Sequence, residues 1–288
     1  MKIGIKSTAY FGLYDYEAGL KILRQHGYNA VDYQEFSNMK SPLYAMDDEE
    51  FAQFLAKVSE CARKNGVEVY QLHAIWPTAG DDTPEGIARS LEYFNRSILG
   101  ARLLGCKRVV VHPRLPYGWG GGGTEEEYFH ANVDLMNSLL PAAIENDVTV
   151  CLENMPFKKG EVFSTMREWL AVLDAVNHPR AKACLDTGHL NVMGEEPYAA
   201  VQALAKYLEA MHVHDNRWSM DMHLIPYQGT LDWNALIRGL RSIGFQGCVS
   251  LETCIAPSTP APVKESLQIA LAELARNIAE QIDGECEK

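Results

Sequence analysis

The sequence lacks a C-x-x-C pair, any apolar run approaching the ~18 residues that a membrane-crossing helix needs, and any excess of basic charge. Its seven cysteines, at positions 61, 106, 151, 184, 248, 254 and 286, are odd in number, which argues against a disulfide framework. Cys151, Cys184 and Cys248 lie inside apolar runs, where a free thiol behaves as a small hydrophobe. A reducing, cytoplasmic setting is therefore expected. Residues 1–7 read as a first strand rather than a charged start followed by an apolar region, so no secretory leader is expected. With 26 lysines and arginines against 38 aspartates and glutamates, the formal net charge is −12. That balance repels a phosphodiester backbone, so neither nucleic acid nor a membrane is expected as a partner. No G-x-G-x-x-G follows the first strand, and the glycine-rich stretch 117–123 is not followed by Gly-Lys-Ser/Thr, which disfavours a dinucleotide fold and a phosphate loop.

What is present is a regular alternation. Strand-type runs at residues 3–6, 30–34, 67–74, 108–112, 149–153, 181–186, 208–214 and 248–252 alternate with helical patterns. The helices are expected at 17–26, 47–65, 83–104, 124–146, from 164, at 195–207, from 232 and at 262–282. Their punctuation is consistent: acids open the pattern at 47, Thr83 and Pro84 suit a capped first turn, and Gly27, Gly66 and Gly105 follow helix ends. Eight such units in 288 residues, with no linker, argue for an α/β chain folded as one (β/α)8 TIM barrel spanning residues 1–288.

The chemistry-bearing residues collect at the C-terminal ends of the strands, the face that carries the active site in barrel enzymes. These ends supply His73, His112, Glu153, Asp186 with His189, His212 with His214, and Glu252. The densest stretch, residues 211–229, adds Asp215, Asp221 and His223 to His212 and His214. Imidazoles and carboxylates in one cluster suit a divalent metal. His214, two residues after His212, points the same way on a strand and either reaches the ion or supports it from behind.

The segments C-L-E-N, C-L-D-T-G-H, H-x-H-D-N and S-L-E-T resemble, in order, those of the xylose isomerase-like barrels. That superfamily includes sugar isomerases and epimerases and endonuclease IV. The resemblance implies one divalent ion (Mn, Mg, Co or Zn) held by Glu153, Asp186, His212 and Glu252. The two glutamates would also act as the acid/base pair of an enediolate proton transfer. It further implies substrate contacts from His189 and Arg217. With one ion bound, His73 and His112 are expected in the substrate pocket, and Trp76 and Trp119, just past strand ends, are expected as its walls. The glycines of 117–123 suit a closing lid. Two departures bear on the substrate. Residues 213–217 are one shorter than the G-E-x-N-R-like segment of the ketohexose 3-epimerases, and Met155-Pro156-Phe157-Lys158-Lys159 follows Glu153 where those enzymes place an acid. Both count against a free ketohexose, and Lys159 suits an anionic sugar derivative.

The first alternative is an endonuclease IV-like phosphodiesterase with two or three zinc ions. The chain resembles that enzyme's full ligand set at His73, His112, Glu153, Asp186, His189, His212, Asp221, His223 and Glu252. The second is a lyase or dehydratase using the same metal. The expectation is a sugar or sugar phosphate isomerase or epimerase with a small-molecule partner, its assembly into a homo-oligomer left open.

Overall fold

Eight short runs rich in β-branched and apolar residues pair into one parallel sheet in the computed structural model, which describes residues 1–12, 15–76, 83–118, 122–158, 160–217 and 220–284. They are β1 (Lys2–Lys6), β2 (Ala30–Tyr33), β3 (Glu68–His73), β4 (Arg108–Val111), β5 (Thr149–Glu153), β6 (Ala181–Asp186) and β7 (Leu208–His212). After an antiparallel pair, β8 (Asp215–Arg217) and β9 (Met220–Leu224), comes β10 (Cys248–Leu251). Strand order follows the chain, with β10 beside β1 and β7 at the other end. The ends meet one residue beyond β7: the Val213 N–H donates to the Ser250 carbonyl at 2.8 Å, and the Glu252 N–H donates to the Val213 carbonyl at 3.1 Å. The sheet thereby rolls into a (β/α)8 barrel.

The helices wrap the outside. They are α1 (Thr8–Phe11), α2 (Tyr16–Gln25), α3 (Asp48–Lys64), α4 (Pro84–Leu104), α5 (Glu125–Glu145), α6 (Met166–Val176), α7 (Thr187–Met193), α8 (Pro197–Leu204), α9 (Trp233–Ser242) and α10 (Ala261–Asp283). Most start on a side-chain cap. Asp15 and Asp47 accept from the N–H groups of Ala18 and Glu50, and Thr124 and Thr165 each form a reciprocal box with the glutamate three residues on. Strand positions agree with the sequence reading to within two residues. The short helices α1 and α7 and the β8–β9 hairpin are additions to it. No described helix is long and apolar enough to cross a membrane, and the six described cysteines are free thiols.

Side-chain alternation builds the mouth. Val110, Cys151, Cys184 and Ala210 form a small buried layer inside the barrel. Two residues further along the same strands come His112, Glu153, Asp186 and His212, which therefore face the same interior one layer higher. Two bulges set this parity. β3 inserts Tyr70 between the pairs Val31–Val69 and Asp32–Gln71, and β7 inserts Glu209 between Ala183–Leu208 and Cys184–Ala210. Each bulge lies three residues before a mouth histidine, His73 or His212. A one-residue slip would turn those histidines out of the barrel.

Arg108, at the start of β4, ties the two bulges together. Its guanidinium sits 3.9 Å from the Tyr70 ring centre, its Nη1 donates to the Tyr70 carbonyl at 3.4 Å, and its Nε donates to Glu209 Oε1 at 2.9 Å. The carboxylate is partly exposed, so the pair and the stacking together contribute about 1–2 kcal/mol. Arg108→Ala should lower the thermal midpoint by about 2–6 °C, and Arg108→Lys should restore little because an ammonium cannot stack and donate in one plane. Calorimetry checks this; an unchanged midpoint would mean that the bulges support themselves.

Candidate active site

Glu153, at the end of β5, is 1% exposed and stands between histidines from four other positions. Its Oε1 is 2.9 Å from His212 Nδ1 and 3.6 Å from His189 Nδ1. Its Oε2 is 3.0 Å from His112 Nε2 and 3.5 Å from His73 Nε2, yet makes no hydrogen bond. Glu252, just past β10, brings Oε2 to 3.2 Å from the same His212 Nδ1 and accepts from Gln34 Nε2 at 2.8 Å through Oε1. Asp186 ends β6 and caps α7, its Oδ1 accepting from the His189 N–H at 2.7 Å while Oδ2 lies 3.0 Å from His214 Nε2. Oxygen and nitrogen atoms of Glu153, Asp186, His212 and Glu252 all fall within 4.8 Å of one another.

Two further groups flank this one. His73 and His112 approach each other at 3.2 Å beside Glu153. On the other side, His189 Nε2 and His223 Nε2 each lie 3.4 Å from Asp221 Oδ2, with the His214 ring stacked on His223 at 4.1 Å. In this second group Nδ1 is directed at a main-chain carbonyl, His189 at Asn154 (2.7 Å) and His223 at Glu252 (2.9 Å), which turns each Nε2 toward the Asp221 carboxylate. Cys184 also lies near Glu153 and His212, but burial pushes its thiol up to about 12, so it remains a protonated packing residue.

The electrostatics fit a cation. Burial opposes charge on His212, but the Glu153 and Glu252 carboxylates and the contact with Asp32 more than offset it and hold its pKa well above the usual value. Burial likewise opposes charge on Glu153, and His212 foremost keeps its carboxyl well below the ordinary range. Burial lowers and Asp186 and Asp221 raise His189, leaving it at about 10; His223 rises to about 9 beside Asp221. Positive charge is stabilised at each of these places. With the unpartnered buried Glu153 Oε2 and the N/O donor set, the residues suit a divalent ion.

The hairpin is held by a residue whose type alone suggests a metal ligand. Asp215 is fully buried and accepts from the N–H groups of Asn216 (2.8 Å), Gly229 (3.0 Å) and Leu231 (3.2 Å) and from Trp233 Nε1 (2.8 Å). Asn216 Oδ1 then accepts from the N–H groups of Met222 (2.6 Å) and His223 (3.1 Å). This bracket holds His223 at φ 48°, a strained value for a non-glycine. Gly188 and Gly229 leave room for the arrangement: a Cβ on the first would overlap the His214 ring, and one on the second the Asp215 carboxylate.

A cavity of about 400 Å³ opens over the cluster, lined by Gln34, Trp76, His112, Glu153, His189 and Glu252 among others. Trp76 packs on His112 with ring centres 4.4 Å apart. Arg217 is exposed at the end of β8, where its Nε donates to the Gln228 carbonyl at 3.1 Å. His214 supports Asp186 directly. Trp119 and Lys159 lie outside the described residues. Sequence reasoning missed Asp32 and Gln34 from β2, which contact His212 and Glu252. It also missed the bracketing role of Asn154, whose side chain exchanges hydrogen bonds with the Asp186 main chain. Their period-2 placement in V-D-Y-Q puts the Asp32 and Gln34 side chains on one face, with nothing in the sequence to show that this face meets the mouth.

A family model described as "xylose isomerase-like TIM barrel" matches residues 20–274. Among curated proteins, an inosose isomerase of Bacillus velezensis is 25% identical over 245 residues, 81% of each chain. A "probable endonuclease 4" of Acholeplasma laidlawii is 26% identical over 204 residues, 65% of this chain and 67% of that one. The chain spans 56% of the length of an uncharacterized Methanocaldococcus jannaschii protein that it matches at 26% identity. Among solved structures, D-psicose 3-epimerase with D-tagatose from Clostridium cellulolyticum H10 superposes with TM-score 0.78 at 17% identity, covering 96% and 99% of the two chains. The IOLI protein with a bound zinc atom gives 0.77 at 20%, covering 98% of each. At these identities the structural likeness is one of fold.

Each buried N–H left without an acceptor costs about 1–3 kcal/mol. Asp215→Ala orphans several at once and should lower the thermal midpoint of chelator-treated protein by on the order of 10 °C. Asp215→Asn, which keeps one acceptor oxygen, should lose less. Equal stability of the alanine variant and the parent would show that the hairpin is anchored elsewhere.

Proposed function

The chain belongs to the xylose isomerase-like TIM-barrel family, and from that premise we propose that it is a divalent-metal-dependent isomerase or epimerase acting on a sugar or sugar phosphate. The observation that carries this reading is the convergence of Glu153 Oε1 and Glu252 Oε2 on one nitrogen, His212 Nδ1, at 2.9 and 3.2 Å, from strands that are not neighbours. Each glutamate keeps a second oxygen, Glu153 Oε2 without a hydrogen bond and Glu252 Oε1 held by Gln34. Glu153, Asp186, His212 and Glu252 would hold the ion, which when bound would polarise a substrate carbonyl and stabilise the enediolate charge. One glutamate then removes the proton beside that carbonyl, and the other returns a proton to the adjacent carbon or to the opposite face. Trp76 and His189 both line the cavity, where the first would wall the substrate and the second would contact a substrate oxygen. The cavity volume suits a single sugar ring. The inosose isomerase and D-psicose 3-epimerase relatives support the same class of substrate.

A second reading has its own support. Three groups of metal-type donors adjoin one another, one sharing Glu153 with the next and the third built on Asp221, and an endonuclease 4 relative matches two thirds of the chain. A zinc phosphodiesterase would use all three. The formal charge of −12 opposes it.

Incubation with ketoses, ketose phosphates and inososes in deuterium oxide should place solvent deuterium on the reacting carbon, read by NMR. Glu153→Gln and Glu252→Gln should each slow that exchange by about 10²–10⁴-fold, with bound metal measured in parallel, and a chelator should abolish it until a divalent ion is restored. Parental rates in both variants would sink the two-glutamate mechanism. Cleavage of abasic-site DNA with no sugar exchange would select the phosphodiesterase.

A further inference from the structure

We propose that Asp32, on a strand that supplies none of the four ligands, is the positioning residue that fixes which nitrogen of His212 faces the ion. Gln34, two residues on, links that carboxylate to Glu252. The inference rests on the metal-centred reading of the mouth and is independent of which substrate is turned over.

The argument starts from a contrast among the histidines. His73, His189 and His223 each turn Nδ1 toward a main-chain carbonyl, those of Ala74, Asn154 and Glu252, at 2.7, 2.7 and 2.9 Å. Their Nδ1 atoms donate to the main chain, so Nε2 is the nitrogen each turns toward the mouth. His212 is reversed. Its Nδ1 faces two carboxylate oxygens, Glu153 Oε1 and Glu252 Oε2, while its Nε2 lies 3.0 Å from Asp32 Oδ2. The partner that sets its tautomer is a side chain, and one that is 1% exposed.

The hydrogen bonds around Asp32 decide the proton's place. Its Oδ2 also receives Gln71 Nε2 at 3.3 Å and Gln34 Nε2 at 3.4 Å, while Oδ1 has no hydrogen bond. An amide nitrogen only donates. Oδ2 is thus an acceptor toward both glutamines, and the His212 Nε2 proton points at it as a third donor. A neutral imidazole protonated at Nε2 presents its lone pair at Nδ1, toward Glu153 and Glu252. Three acceptors meeting there need a cation between them, a second proton on Nδ1 in the ion's absence or the metal ion in its place. The carboxylate behind the ring also makes the imidazole a better ligand.

The glutamines keep the carboxylate from turning. Gln71 Nε2 is shared with the Met211 carbonyl at 3.2 Å, immediately before His212. Gln34 Nε2 is shared with Glu252 Oε1 at 2.8 Å, which directs the other oxygen of Glu252 at His212. Gln34 is itself placed by its main-chain N–H, which donates to Ser7 Oγ at 2.9 Å. Strand β2 therefore orients ligands from β7 and the end of β10 without touching the ion.

The test is zinc binding to the full chain by chelator competition, together with long-range 1H–15N NMR of zinc-loaded protein labelled at histidine. In the parent, His212 should carry its proton on Nε2 and coordinate through Nδ1. Asp32→Asn should weaken zinc binding by about 10–100-fold and speed exchange of the Nε2 proton, with the metal-free thermal midpoint close to the parent's. Gln34→Ala should weaken binding by less, and its effect should not add to that of Asp32→Asn, because both act through one network. A proton on Nδ1 of His212 in the zinc-loaded parent would overturn the proposal without any variant, and so would zinc affinity in Asp32→Asn within about twofold of the parent. Either result with isomerase activity intact would sink this inference alone. The expected zinc results with no sugar exchange would sink the proposed activity alone.

Discussion

The mouth of this barrel is organised around one electrostatic problem. Glu153, Asp186, Glu252 and Asp32 bring four carboxylates to the neighbourhood of a single buried imidazole, His212. Carboxylates taken out of water cost several kcal/mol each unless they are paired. The structure meets this with a ring of histidines, each turned so that a nitrogen faces a carboxylate, and with a donor set that suits a divalent ion. Most features of the upper barrel follow from holding that arrangement still.

Secondary structure and site are built by the same atoms. Asp186 caps α7 through Oδ1, so the local requirement of a helix start also orients a carboxylate of the donor set that could hold a metal ion. The bulges at Tyr70 and Glu209 set the parity that turns His73 and His212 inward, and Arg108 holds both from below. Asp215, from the stretch with the strongest metal-like composition, serves the hairpin instead: its oxygens receive three main-chain N–H groups and the Trp233 indole. Residue type brought it to notice, and burial among donors explains why it is there.

This contrast marks what was legible in the sequence. The eight strands were readable because each is a short apolar run ending in a polar residue, and a period of two put His214 on the same side of its strand as His212. The metal set came from resemblance, and the structure brings its four members within 4.8 Å. Asp32 and Gln34 were not legible as site residues. In A-V-D-Y-Q they look like the ordinary end of a strand, and their partners lie 180 and 218 residues away in the chain. The short helices α1 and α7 carry too few turns for a periodic signal. The hairpin is mostly polar, and its register depends on Asn216 and Asp215, whose contacts are tertiary.

The two functional readings differ most sharply over one atom. Glu153 Oε2 has no hydrogen bond and sits 3.0 and 3.5 Å from the His112 and His73 nitrogens. In proton-transfer chemistry that oxygen must be free to gain and lose a proton, with His73 and His112 neutral beside it as pocket walls. Burial does hold His112 below its usual pKa; burial also opposes charge on His73, but the Glu153 contact outweighs it and raises that ring. In hydrolytic chemistry the same oxygen would bridge to an ion held by those two histidines, and a carboxylate committed at both oxygens to cations no longer serves as a base. The uses exclude each other. Occupancy of the His73–His112 group, more than that of the central group common to both readings, therefore decides which chemistry the barrel performs.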